Sequence, residues 1–280
     1  MCACASARAP PTSRRRTGST KALPDAIFDM DGDAFVPTEA ALSPWSDKQL
    51  HGGPPAMLLA RAIEAYPVEQ PMFVARMTVE LLRSVGRTPL TVRSRLVRPG
   101  RKVQVVESSL WSAEQEVARM TAVRIRTGQV DVPLDLDPPP REPPDALPRW
   151  EGSWTEGAAY HMLGVDIRSA PAEGTRPPGW AWFRLKLPVV AGEEPTPLQR
   201  VCAAADFPNG ISFRVSPLRM TFINPDLTIY VQRLPVDEWV LVDARTWLEP
   251  HGTGMTEGGL YDRTGRIGRS LQSLIVEARS

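Results

Sequence analysis

Val79 to Arg126, VELLRSVGRTPLTVRSRLVRPGRKVQVVESSLWSAEQEVARMTAVRIR, lies without a gap on Ile229 to Val276, IYVQRLPVDEWVLVDARTWLEPHGTGMTEGGLYDRTGRIGRSLQSLIV, at an offset of 150 (229 minus 79). Arg83 meets Arg233, Val92 meets Val242, Arg95 meets Arg245, Glu107 meets Glu257 and Leu110 meets Leu260. Trp111 then meets Tyr261, Val117 meets Ile267 and Arg119 meets Arg269. The matches are sparse, but they keep strand phase and turn positions in step, as an internal repeat must. Under the same offset Gln272 faces Ala122, so only the second copy carries that polar residue.

Working outward, each copy contains a helix followed by an antiparallel meander. In the first, Gly52-Gly53-Pro54-Pro55 opens a helix whose apolar residues Leu59, Ala62, Ile63 and Tyr66 recur at helical period, and Pro67 closes it. Three β-type runs follow, Met72–Leu82, Leu90–Val97 and Lys102–Arg126, the last turning near Ser112 to Gln115. Leu90, Val92, Ser94 and Leu96 alternate with Thr91, Arg93 and Arg95, a strand with one wet face. Arg98-Pro99-Gly100-Arg101 supplies a tight turn. Ahead of the helix, Ala26 to Gln49 holds short extended pieces broken by Asp31-Gly32-Asp33, Pro37 and Pro44. In the second copy, extended pieces near Tyr160–Arg168 and Trp180–Leu187 precede a helix carrying Leu198, Val201, Cys202 and Ala205. Strands near Leu227–Arg233, Glu238–Leu248, Gly254–Tyr261 and Ile267–Ala278 complete it. Between the copies, Asp131 to Pro148 is rich in Pro, Asp and Glu and reads as a linker. The expected division is an unstructured extension over 1–25, repeats over 26–130 and 151–280, and a linker over 131–150. The fold class is α+β: pairing the two sheets edge to edge hides two free edges and makes one continuous sheet around two central helices.

Composition excludes several classes. Lys plus Arg number 33 against 32 Asp plus Glu, a net charge of +1 that gives no case for a nucleic-acid partner. No apolar run approaches the roughly 20 residues of a membrane span. Cys2, Cys4 and Cys202 are too few and too scattered for a disulfide framework or a zinc site, which points to a reducing, cytoplasmic setting with no metal and no cofactor. Met1 to Thr20 holds Arg14-Arg15-Arg16 and no acids, like a transit peptide, but lacks an amphipathic pattern; Met30 is a possible later start. No GxSxG or HExxH occurs. His161 and His251 have no partner spacing and read as structural, and Cys202 reads as core.

The chemistry gathers at Asp206. It follows Cys202 by four residues, beside a buried stripe, where a carboxylate needs hydrogen-bond donors. Asn224, in Phe222-Ile223-Asn224-Pro225-Asp226, and Gln272, in the last strand, are placed to supply them, and the three together could hold a water.

The His51-Gly52-Gly53 start with Leu58-Leu59-Ala60-Arg61, the Arg98-Pro99-Gly100-Arg101 turn, Ala205-Asp206-Phe207-Pro208-Asn209-Gly210, Phe222-Ile223-Asn224-Pro225-Asp226-Leu227 and Gly268-Arg269-Ser270-Leu271-Gln272 resemble the thioesterase-like superfamily. Its members are double-hotdog proteins similar to acyl-CoA thioesterase II, and the resemblance covers about Ala26 to Arg279. It implies hydrolysis of acyl-CoA thioesters by water that an Asp, a Gln and a Ser or Thr position. Asp206 and Gln272 fall on the family's acid and amide, while the hydroxyl position falls on Asn224, with Thr228 as a possible substitute. Backbone N–H groups at His51-Gly52-Gly53 are natural oxyanion donors, since Pro54 and Pro55 have none to give. Arg98, Arg101 and Lys102 are candidates for the CoA phosphates, and exposed sheet surfaces suggest a homo-oligomer. Two other readings stay open: a hotdog enoyl-CoA hydratase or dehydratase, for which His51 would have to approach Asp206 across the halves, and a non-catalytic acyl-CoA-binding protein.

Overall fold

The computed structural model describes residues 23–134, 137–150, 159–171 and 177–279. The expected N-terminal extension, with Cys2 and Cys4, lies outside them as far as residue 22. Two small hairpins come first, β1 (Phe28–Asp31) with β2 (Ala34–Pro37), and β3 (Leu42–Ser43) with β4 (Ser46–Leu50). Helix α1 (Gly53–Ala65) follows, with prolines in its first turn where the N–H groups have no intrahelical partner. Gly53 to Ala60 and Ile63 are buried, so the helix is wrapped on nearly every side. The meander is β5 (Met72–Glu80), β6 (Thr91–Arg98), β7 (Val103–Ser112) and β8 (Gln115–Arg126).

After the linker come α2 (Tyr160–Leu163), β9 (Val165–Arg168) and β10 (Trp180–Leu185). The extended piece expected from Tyr160 therefore begins instead as a helical turn. The reason is tertiary: the Tyr160 ring is fully buried, its hydroxyl donates to Ala203 O at 3.1 Å, and Gly164 leaves room for the ring. Helix α3 (Pro197–Ala205) starts with a reciprocal cap between Thr196 and Gln199. Then follow α4 (Pro208–Ile211), β11 (Met220–Ile223), β12 (Asp226–Val231), β13 (Trp239–Glu249), β14 (Thr253–Asp262) and β15 (Gly265–Ala278).

The two meanders merge into one 11-stranded sheet, ordered β6-β7-β8-β5-β12-β15-β14-β13-β10-β9, with β11 also paired to β15. The seam is the antiparallel pair β5–β12, in which Thr78 stands directly opposite Thr228, its partner under the offset of 150. A pseudo-two-fold axis thus passes between these threonines, whose hydroxyls are 3.3 Å apart. Inside the curved sheet α1 and α3 pack antiparallel: Gly53 lies beside Ala203 at one end, and at the other Thr196 Oγ1 donates to Glu64 Oε2 at 2.7 Å. One apolar core runs through both repeats.

The β14–β15 turn is built around Asp262, a fully buried carboxylate. It accepts from both terminal nitrogens of Arg233, from the N–H groups of Val236, Thr264 and Gly265, and from the Thr264 hydroxyl. Burial pushes its pKa up, but Arg233, the Thr264 hydroxyl and the backbone donors outweigh that and hold it well below its ordinary 3.8. A depressed carboxylate contributes stability above its ordinary pKa and loses it as the pH falls through the depressed value. Asp262→Ala, which strands the Arg233 charge, is expected to cost about 3–5 kcal/mol in urea unfolding at pH 7. The gap from the unsubstituted protein should be flat from about pH 7 to 5 and shrink below about pH 4, the ordinary carboxylate range. A gap that widened on acidification would contradict this account.

Candidate active site

Asp206 is the C-cap of α3, and at 4% exposure its carboxylate sits where α3 ends against the start of α1. Its Oδ1 accepts from Asn224 Nδ2 and from Gln272 Nε2, both at 2.9 Å. A carboxylate only accepts here, so both amides must turn their NH₂ groups toward it and their carbonyls away. Asn224 occupies the turn between β11 and β12, and its amide also donates to Asp226 O at 3.1 Å. Gln272 faces inward from β15 with Ser270 and Leu274, is 1% exposed, and its Oε1 has no hydrogen-bond partner among the described residues. Such a buried acceptor is costly unless something donates to it.

His51 closes the other side, its Nδ1 3.0 Å from Asp206 Oδ2 and 3.1 Å from Gly53 N. One ring nitrogen cannot serve both contacts the same way. Unprotonated, Nδ1 accepts from the Gly53 N–H; protonated, it donates to Asp206. The approach across the halves that the hydratase reading required is therefore present in the fold. The two glycines are there for space. A Cβ on Gly52 would stand 2.5 Å from Asp206 Oδ2, and one on Gly53 would stand 3.2 Å from the Tyr160 ring. Gly53 N–H is engaged by His51, while Gly52 N–H has no partner among the described residues. Behind them His51, Tyr160, Phe207 and Phe183 pack ring on ring, with Phe183 and Phe207 centroids 4.4 Å apart. Burial, then the Asp206 charge, raises the Tyr160 pKa well above its usual value, so the phenol keeps its proton as a donor.

Asp206, His51, Gly52 and Asn224 open onto a cleft of about 260 Å³. Its apolar wall includes Trp45, Leu81, Ile223 and Ile275, and Arg83 lines it as well. Arg83 makes no ion pair among the described residues. In the sequence Arg83 marks only the alignment of the repeats, yet the repeat carries a further signal: Arg233 has Asp262, whereas the position equivalent to Asp262 is Ser112. The arginine of the first repeat is left without the acid of the second.

Other expected residues lie elsewhere. Thr228 pairs with Leu271, the neighbour of Gln272, so strand alternation puts it on the opposite sheet face, with its hydroxyl on Thr78. Arg98, Arg101 and Lys102 sit by the far end of α1: Lys102 O accepts from Arg126 N, next to Arg124, whose guanidinium caps Tyr66 O. A helix of 13 residues is about 20 Å long, so these cations are remote from Asp206. Cys202 is buried, its thiol pKa raised by burial and by Glu64. His161 is buried beside Trp150, with a pKa lowered to about 4 by burial and by His51. Among the described residues no three His, Cys, Asp or Glu side chains gather to hold a metal ion.

Family models match nearly the whole described chain: the acyl-CoA thioesterase N-terminal domain over residues 41–125 and the acyl-CoA thioesterase C-terminal domain over residues 133–276. The chain belongs to the acyl-CoA thioesterase family. Its fold is the double hotdog. A hot dog fold protein from Alicyclobacillus acidocaldarius superposes with a TM-score of 0.71 at 16% identity, covering 91% of this chain and 98% of that one. Acyl-CoA thioesterase II TesB2 from Mycobacterium marinum gives 0.61 at 17% identity, covering 90% and 95%. No curated protein sequence matches the chain.

In this thioesterase the Gly52 contact makes a direct test. Gly52 has φ −67 and ψ −26, a conformation alanine adopts freely, so Gly52→Ala strains no backbone. The added methyl displaces the Asp206 carboxylate. Were Asp206 to act in the reaction, thioesterase kcat is expected to fall about 10²-fold, the effect of a misplacement of about 1 Å, while the unfolding midpoint stays within a few degrees. Unchanged kcat would show that Asp206 need not sit where it does.

Proposed function

We propose that the chain hydrolyses acyl-CoA thioesters to free acid and CoA with water activated by Asp206. The observation that supports this most is a buried carboxylate gripped by Gln272 Nε2, Asn224 and His51, with Gln272 Oε1 on the same amide left without a partner among the described residues. A water donating one hydrogen to Gln272 Oε1 and the other to Asp206 would have both protons held and a lone pair free. Asp206 takes the second proton as that lone pair attacks the thioester carbon, and Gly52 N–H is the backbone donor left for the carbonyl oxygen. Collapse of the tetrahedral intermediate breaks the C–S bond. The proton on Asp206 then goes to the leaving sulfur, directly or through His51 Nδ1. Asn224 takes the place of a hydroxyl: both its N–H groups are committed to Asp206 and Asp226, so it orients the acid and turns its carbonyl away from it. Arg83, which makes no ion pair among the described residues, is the cation in the cleft that meets polar oxygens of the substrate.

The His51–Asp206 contact favours one second reading, hydration of a 2-enoyl-CoA by the same pair. Both are decided by one set of assays on a panel of saturated and 2-unsaturated acyl-CoAs, following free thiol and loss of the enoyl absorbance. Asp206→Asn is expected to lower thiol release at least about 10²-fold with folding intact, and Gln272→Ala to lower kcat more than it raises KM. Asn224→Ser, which keeps a donor to Asp206, should retain more activity than Asn224→Ala. Enoyl loss without thiol release would move the assignment to hydration, and saturable binding without turnover would move it to an acyl-CoA-binding protein.

A further inference from the structure

The pseudo-two-fold that relates the repeats also relates two clefts. The Asp206 cleft is lined by Leu81, Arg83, Ser84, Ile223, Pro225 and Ile275. Shifted by 150, these positions become Val231, Arg233, Leu234, Phe73, Ala75 and Ile125, and every one of them lines a second cleft, of about 600 Å³. It opens at the other end of the seam, where β5 and β12 part beyond the Arg76–Tyr230 pair.

The chemistry at this second end differs residue by residue. Val74 stands where the offset would put Asn224, Ala122 stands for Gln272, and the C-cap of α1 is Tyr66 where α3 has Asp206. Thr127 and Gln232 also line the second cleft, but among the described residues no carboxylate or histidine does, so no base is there to deprotonate a water. What remains is an apolar surface, with Ile125 at 44% and Leu234 at 38% exposure beside Phe73 and Val231. Two arginines flank it. Arg233 is committed to Asp262, whereas Arg126 makes no ion pair among the described residues. An exposed apolar trough with one unmatched cation at its rim fits a chain that is apolar along its length and anionic at one end.

We propose that this second cleft binds a fatty acid without transforming it, the chain lying on Phe73, Ile125, Val231 and Leu234 and the carboxylate meeting Arg126. The choice of ligand rests on the acyl-CoA reading of the first cleft, because symmetry equates the two walls.

The pair Ile125 and Ile275, equivalent and both partly exposed, gives the test. Dodecanoate, below its micellar range, is titrated calorimetrically into the full-length protein and into Ile125→Glu and Ile275→Glu, and thiol release is measured on the same preparations. Ile125→Glu is expected to lose one equivalent of dodecanoate, or to weaken it at least tenfold, with thiol release unchanged. Ile275→Glu is expected to keep that equivalent and to raise the KM for thioester. Leu234→Glu repeats the first arm should Ile125→Glu not fold. An isotherm unaltered in Ile125→Glu and Leu234→Glu, or no dodecanoate bound by the unsubstituted protein, overturns the proposal. Absence of thiol release in every form would instead end the hydrolytic reading, and the Ile125→Glu isotherm would still decide this one.

Discussion

Everything in this molecule depends on the backbone pairing of β5 with β12. Each repeat alone would leave a long, hydrogen-bonding strand edge in water, and the seam satisfies both at once. Because Thr78 lies opposite its own equivalent, Thr228, the pairing forces a pseudo-two-fold on the chain. That axis in turn sets α1 and α3 antiparallel, so the first turn of one helix meets the last turn of the other at both ends of the pair. The site is one of these meetings.

The two meetings began alike and diverged in polarity. A carboxylate buried as deeply as that of Asp206 is tolerated because three side chains from three elements converge on it. At the opposite end the same geometry holds Glu64 against Thr196 and lets Arg124 donate to the carbonyl of Tyr66, the C-cap of α1. Burial pushes the Glu64 carboxyl up, with the Thr196 hydroxyl acting against it. Between the two ends the helices and the inner sheet face share one apolar core.

The same divergence explains which parts of the site could be read in advance. Asp206 and Gln272 stood out because each is a polar residue in an apolar pattern, and such residues need partners, whereas Asn224 was legible from its place before Pro225 where the chain enters a strand. The glycines of His51-Gly52-Gly53 were legible as a helix start, but their tight fit against Asp206 and Tyr160 was not, since it depends on what the second repeat places there. Thr228 failed as a substitute for a period-two reason: one residue along a strand reverses the face. The cations of the Arg98 turn failed for a distance reason, because sequence shows which turn is basic without showing at which end of a helix it folds back.

By itself the sequence determined the fold class, most helix and strand phases and the family. These follow from local periodicity, from turn residues such as Arg98-Pro99-Gly100-Arg101, and from short motifs that stand in order along the chain. Only the tertiary structure decided that His51 touches Asp206, that Arg83 lines the same cleft, and that one symmetry operation produces two clefts of which one carries the acid. Those facts join residues more than a hundred positions apart, and their distances are set by how the seam closes and how the helices cross beneath it. No window of sequence contains that closure, so no local pattern could have reported it.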